Sequence, residues 1–153
     1  MRWLKLTIFI SLLLLVIFLS VTALAFSERS FSPERNSPQD WIKEEQIRVF
    51  KDKVVIELSD ATWASFTNTN SMDPFIDENS HAIELTPQKP DDVQIGDVIS
   101  YSSSYGQIIH RVIEKNVDEK GDYYIVQGDN NPLADPIKVR FDDVTGVVVA
   151  VIY

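Results

Sequence analysis

Ser71 stands in the run Ser71-Met72-Asp73-Pro74, after a polar stretch, Thr67-Asn68-Thr69-Asn70, that leaves an expected strand over residues 61–66. A serine at a strand-to-turn junction can project its hydroxyl into a cleft, but serine and proline are also ordinary turn residues, so a nucleophile needs partners. His110 is one candidate. It lies in Ile108-Ile109-His110-Arg111-Val112-Ile113, where strand alternation puts His110 and Val112 on one face and Arg111 on the other. An imidazole, with a reference pKa of about 6.5, can take a serine proton near neutral pH. The third segment is the loop Gly128-Asp129-Asn130-Asn131-Pro132-Leu133-Ala134-Asp135-Pro136. Asp129 or Asp135 can accept a hydrogen bond from His110 and fix its tautomer, and either can equally bond its own backbone, as aspartates in such loops do. His81, after the polar turn 77–80, is read as a surface residue. The two histidines and the aspartates show no recognised metal-ligand spacing, so no metal or cofactor is expected.

Composition narrows the chemistry further. The 153 residues include no cysteine, which removes disulfides, thiolate metal sites and cysteine nucleophiles. The net charge is -9, and the 14 basic residues form no block. Nucleic acid is therefore not an expected partner, because phosphate neutralisation needs clustered Lys and Arg.

The elements that must position these residues fall into unlike parts. Residues 7–26 carry no charge, and 20 residues of helix cover roughly 30 Å, the thickness of a bilayer core. A transmembrane helix is expected, with Arg2 and Lys5 keeping the N-terminus in the cytoplasm and the rest of the chain outside. The alternative is a cleaved export signal ending at Ala23-Leu24-Ala25, although the apolar run exceeds the roughly 7 to 15 residues of such a signal. Residues 27–39 read as a juxtamembrane linker. From Ser37 as N-cap and Pro38 as first helical residue, a short amphipathic helix is expected to about Phe50, with Trp41, Ile42, Glu45, Val49 and Phe50 on one face. Beyond it the periodicity changes to strands over 54–58, 61–66, 82–85, 97–101, 108–115, 123–127 and 144–152, with turns at 102–106, 118–122 and 132–136. The expected organisation is an anchor over 1–26, linker and helix over 27–52, and a small, mainly β domain over 53–153. No second membrane span is expected after the last strand.

Together the three chemical segments resemble the type I signal peptidase family, serine proteases that remove signal peptides from exported proteins. Ser71-Met72-Asp73-Pro74 is similar to its S-M-x-P nucleophile box, Gly96-Asp97-Val98-Ile99 to its G-D strand start, and Ile109-His110-Arg111-Val112 to its base box. Gly128-Asp129-Asn130-Asn131 resembles the loop that follows, and Asp143-Val144-Thr145-Gly146-Val147 the closing box. Histidine at position 110, where most bacterial members have lysine, resembles the archaeal and endoplasmic-reticulum branch that uses Ser, His and Asp. The resemblance runs from about Asn70 to Val148. It implies a small signal-peptidase-like β domain, Ser71 as nucleophile, His110 as general base and acid, and Asp135 in preference to Asp129 as the orienting carboxylate. It also implies an oxyanion hole from the Thr69 hydroxyl and the Ser71 backbone N–H, and a preference for small residues at the cleavage site. The implied partners are membrane-inserted signal peptides, the lipid bilayer and accessory membrane subunits.

Two other functions stay open from the residues. Where the family has Gly or Ser before the nucleophile and a Gly-Asp pair after it, this chain has Asn70 and Phe75-Ile76-Asp77-Glu78-Asn79-Ser80, which suits a non-catalytic exported binding module. A self-cleaving or regulatory protease of the same broad fold is the other.

Overall fold

β-branched and aromatic residues dominate the chain after residue 46, and their alternation builds two antiparallel sheets. A computed structural model describes residues 2–29 and 34–153; for residues 4–7 and 21–29 only the backbone is described. The chain divides into two units, 1–35 and 36–153.

The first unit contains helix α1 (Arg2–Arg29), and its described side chains from Ile8 to Leu19 are exposed and, but for Ser11, apolar. Among the described residues no helix is long and apolar enough to cross a membrane. The two ends of the expected 7–26 span, including Ala23-Leu24-Ala25, fall where side chains lie outside the described residues, as does part of the linker, residues 30–33.

The second unit is mainly β. Strands β1 (Ile47–Val49) and β2 (Val54–Ile56) form a hairpin in the register Ile47↔Ile56. The larger sheet contains β3 (Ala61–Ser65), β4 (His81–Leu85), β5 (Val98–Ser103), β6 (Gly106–Asp118), β7 (Gly121–Gln127), β8 (Val139–Arg140) and β9 (Val144–Ile152). Its order is β3-β4-β9-β5-β6-β7-β8, and every pairing is antiparallel. Neighbouring residues of one strand enter different cores, as alternation requires. Ile99 and Val147 join Tyr101, Val112, Tyr124 and Val126 in one cluster, whereas Val98 and Val148 join Met72, Ile76 and Ala82 in the other.

The amphipathic helix expected from Ser37 to Phe50 does not form. Only one 3-10 turn, Glu44–Gln46, occurs there, and Ile47–Val49 are paired as β1. Tertiary bonds outcompete the helical pattern: Gln39 donates its backbone N–H to Asp97 Oδ1 at 3.0 Å and its side-chain amide to Asp97 Oδ2 at 2.8 Å. β-branched Ile47 and Val49 then find partners in β2 that a helix would deny them. Residues 36–52 fall in the same compact unit as the β sheets.

The expected Gly96-Asp97 strand start has a mechanical reason. Gly96 has φ +103°, and a Cβ there would lie 2.1 Å from the Ser37 carbonyl oxygen, so only glycine lets residues 36–39 cross this point. Asp97, fully buried, then fastens the crossing segment and also accepts the Gln94 N–H at 2.9 Å. Asp97→Ala leaves those amide donors unpaired and is expected to destabilise the β unit by about 2 to 4 kcal/mol. Urea unfolding followed by tryptophan fluorescence measures this; a change below about 0.5 kcal/mol, ordinary for a surface substitution, would contradict the assigned role.

Candidate active site

Two loops and one strand bring the candidate residues together. The chain leaves β3 and turns at Asn70, whose φ of +58° is a left-handed conformation that asparagine tolerates better than most residues. Met72 and Ile76 next enter the second apolar cluster and anchor the turn from below.

From the other side the turn is clasped by the loop after β7. Asn130 donates its backbone N–H to the Ser71 carbonyl at 2.9 Å and its side-chain amide to the Asn70 carbonyl at 2.9 Å. A Cβ on Gly128 would stand 2.5 Å from the Ser71 carbonyl oxygen, so this close approach requires glycine. The Ser71 backbone is therefore positioned by loop residues nearly sixty positions away.

The same loop carries Asp135 to His110. Asp135 donates its backbone N–H to the Val126 carbonyl at 2.9 Å, which fixes the start of its side chain. Its Oδ2 lies 2.7 Å from His110 Nδ1, with the two side chains only 8% and 13% exposed. The Tyr101 hydroxyl donates to the same carboxylate oxygen. Burial, and then the hydrogen bond to Asp135, raise the Tyr101 pKa far above the ordinary phenol value, so the hydroxyl stays protonated as a donor. With Nδ1 committed to Asp135 as a donor, His110 Nε2 is left as the basic nitrogen.

Asp129, the other carboxylate considered, is bonded instead to Arg111. The guanidinium grips it in a fork, Nε to Oδ1 at 2.8 Å and Nη2 to Oδ2 at 2.7 Å, and also donates to the Gly96 carbonyl at 2.7 Å. Strand alternation thus sorts the two aspartates: His110 takes one, and Arg111, facing the other way, takes its neighbour. Asp129 joins the loop to the crossing point at Gly96.

Ser71 and His110 line a single cleft of about 710 Å³, with Thr69, Trp63, Ile109 and Glu84 among its walls. Ser71 Oγ is 3.1 Å from Thr69 Oγ1, and the Ser71 N–H points to the same oxygen at 3.4 Å. Among the described residues no hydrogen bond joins Ser71 Oγ to His110. The cleft assembles a hydroxyl nucleophile, an oriented imidazole and a second hydroxyl. Those are the parts needed for acyl transfer.

His81 is not on the open surface of a turn. It is the first residue of β4, its ring stacks at 4.9 Å on Trp63, and its Nδ1 is buried without a hydrogen-bond partner. Tyr101, Glu84 and Ser100 escaped the sequence reading. Tyr101 follows Ile99 by two on β5, and Ile99 pairs with His110, so alternation alone placed Tyr101 on the histidine's face. Glu84 carried no comparable signal. Among the described residues, no group of three His, Asp or Glu side chains is arranged to hold a metal ion. No family model, curated protein or solved structure matches the chain.

Burial raises the pKa of Glu84 above the ordinary glutamate value of 4.5, with the hydrogen bond from Ser100 opposing the shift. A raised folded-state value means that the folded chain holds this proton more tightly than the unfolded chain. Stability from Glu84 is therefore fully present below pH 4.5 and is lost as pH rises through the raised value. Glu84→Gln should gain stability relative to the parent chain as pH rises through that window. Thermal midpoints taken across the range check this, and a gap that stays constant or reverses would refute it.

Proposed function

We propose that the chain is a membrane-anchored serine endopeptidase of the signal peptidase I type, acting through Ser71, His110 and Asp135. The observation that carries this reading is that His110, bonded to the nearly buried Asp135 at 2.7 Å, lines the same cleft as Ser71 and Thr69. The resemblance of the surrounding motifs, in unbroken order, points the same way. The apolar stretch of α1 supports the anchor, with the N-terminus cytoplasmic and the β unit outside.

In this mechanism Ser71 Oγ turns from Thr69 toward His110 Nε2 and attacks the scissile carbonyl as the imidazole takes its proton. Asp135 stabilises the imidazolium, and Tyr101 holds the carboxylate in place. The developing oxyanion meets the Ser71 N–H and the Thr69 hydroxyl, which already lie beside one another. His110 then protonates the leaving amine and activates the water that hydrolyses the acyl-enzyme. Signal peptides lie in the same bilayer as the anchor, so tethering raises the local concentration of the scissile bond.

A second reading, a binding module without catalysis, is favoured by one observation: the Ser71 hydroxyl bonds to Thr69 and not to His110. Preprotein cleavage by the full chain in detergent micelles separates the two. Ser71→Ala or His110→Ala should reduce cleavage by at least roughly a thousandfold, and Thr69→Val by roughly a hundredfold while Thr69→Ser retains it. Product formation unchanged by Ser71→Ala would overturn the protease reading.

A further inference from the structure

The cleft that holds Ser71 is walled by Ala64, Phe66, Met72, Ile76, Ile108 and Ile109, yet a carboxyl group stands in it. Glu84, on β4, is only 6% exposed. One of its oxygens accepts a hydrogen bond from Ser100, itself 4% exposed, on β5. The other lies against Gly146 of β9, where a Cβ would come within 2.6 Å of it. Three strands therefore cooperate to seat this one side chain. A glycine makes room for it, and Gly146 pairs directly with Ser100.

Glu84 has no ion-pair partner among the described residues, and no lysine or arginine lines the cleft. An unpaired carboxyl in an apolar setting is unfavourable when ionised, and its electrostatic complement is a cation. The acidic balance of the whole chain reinforces that preference at longer range. A ligand that brings a cationic side chain into the cleft would supply the charge that the protein omits.

We propose that Glu84 is a specificity-determining residue that selects a lysine side chain in the extended segment of substrate bound on the acyl side of the scissile bond. The proposal rests on the protease reading of Ser71 and His110, and deepens it by naming a feature of the substrate. Glu84 receives the lysine ammonium, with the Ser100 hydroxyl and the close approach of Gly146 holding the carboxyl in position. Such a subsite adds to whatever small-residue requirement operates next to the bond, because it lies at a different place in the cleft.

The test uses the full chain in detergent micelles and peptides spanning one cleavage site, carrying Lys, Gln or Glu in turn at each of several acyl-side positions. At one position the parent chain should prefer Lys over Glu by about tenfold or more in kcat/KM, and Glu84→Gln should reduce that ratio to within about twofold while the Gln peptide is processed comparably by both. Equal Lys-to-Glu ratios in parent and variant, or no preference at any position, would overturn the proposal. Fluorescence anisotropy of the same peptides on Ser71→Ala supplies a readout independent of turnover. Selective binding of the Lys peptide there, lost on adding Glu84→Gln, supports the subsite even where the parent chain cleaves nothing, an outcome that defeats the protease reading alone. Gly146→Ala, which crowds the carboxyl, should weaken the Lys preference as well; unchanged selectivity in this folded variant would count against the assigned seat.

Discussion

The constraint on which the site depends is the contact between the loop after β7 and the turn that carries Ser71. Asn130 binds the carbonyls of Ser71 and Asn70, and Gly128 approaches the Ser71 carbonyl more closely than any other residue type could. The same loop runs on to Asp135 and delivers its carboxylate to His110. Ser71 and Asp135 are thus placed by one piece of backbone. Its two ends are fastened independently, by Arg111 gripping Asp129 and by the Asp135 N–H on Val126. A shift in this loop would move Ser71 and Asp135 together relative to His110.

The acidic surplus acquires a structural meaning in this arrangement. Asp97 fastens the crossing of residues 36–39, Asp129 ties the loop to Arg111, Asp135 orients the histidine and Glu84 occupies the cleft. Each of these carboxylates is buried or nearly so and accepts hydrogen bonds, from neutral amides at Asp97, from Arg111 at Asp129, from Tyr101 and His110 at Asp135 and from Ser100 at Glu84. Acidic residues here are internal fastenings as much as solvated surface. At the surface, Asp118 plays a different part: Arg140 and then Lys138 hold its pKa well below the carboxylate range, closing the β6–β7 end of the sheet.

How much was legible in the sequence follows from the range of the interactions involved. The run from Val144 to Ile152, apolar but for Thr145, could be read directly, and its strand has those bounds, with Gly146, Val147 and Val148 buried at its centre. Residues 37–50 misled, since the N-cap and facial pattern were real but Gln39 and Ile47 obtained better partners far along the chain. Val139–Arg140 is too short to generate a pattern at all. In the site, Ser71, His110 and the two aspartates could be named from local motifs. The choice between the aspartates depended on which face of β6 each could reach. Tyr101 is close to His110 in sequence, but its bond to Asp135 needs the loop after β7, and the seat of Glu84 exists only once β4 and β5 both flank β9.

The proposed function requires a serine whose hydroxyl leaves Thr69 and becomes acylated with the help of His110 and Asp135. Mass spectrometry of the chain, acid-quenched during preprotein turnover and then digested, tests that claim most directly. The account predicts an added mass, equal to the acyl-side fragment, on the peptide containing Ser71, and its disappearance in Ser71→Ala. Turnover with no adduct at Ser71, or with the adduct on another residue, would contradict it.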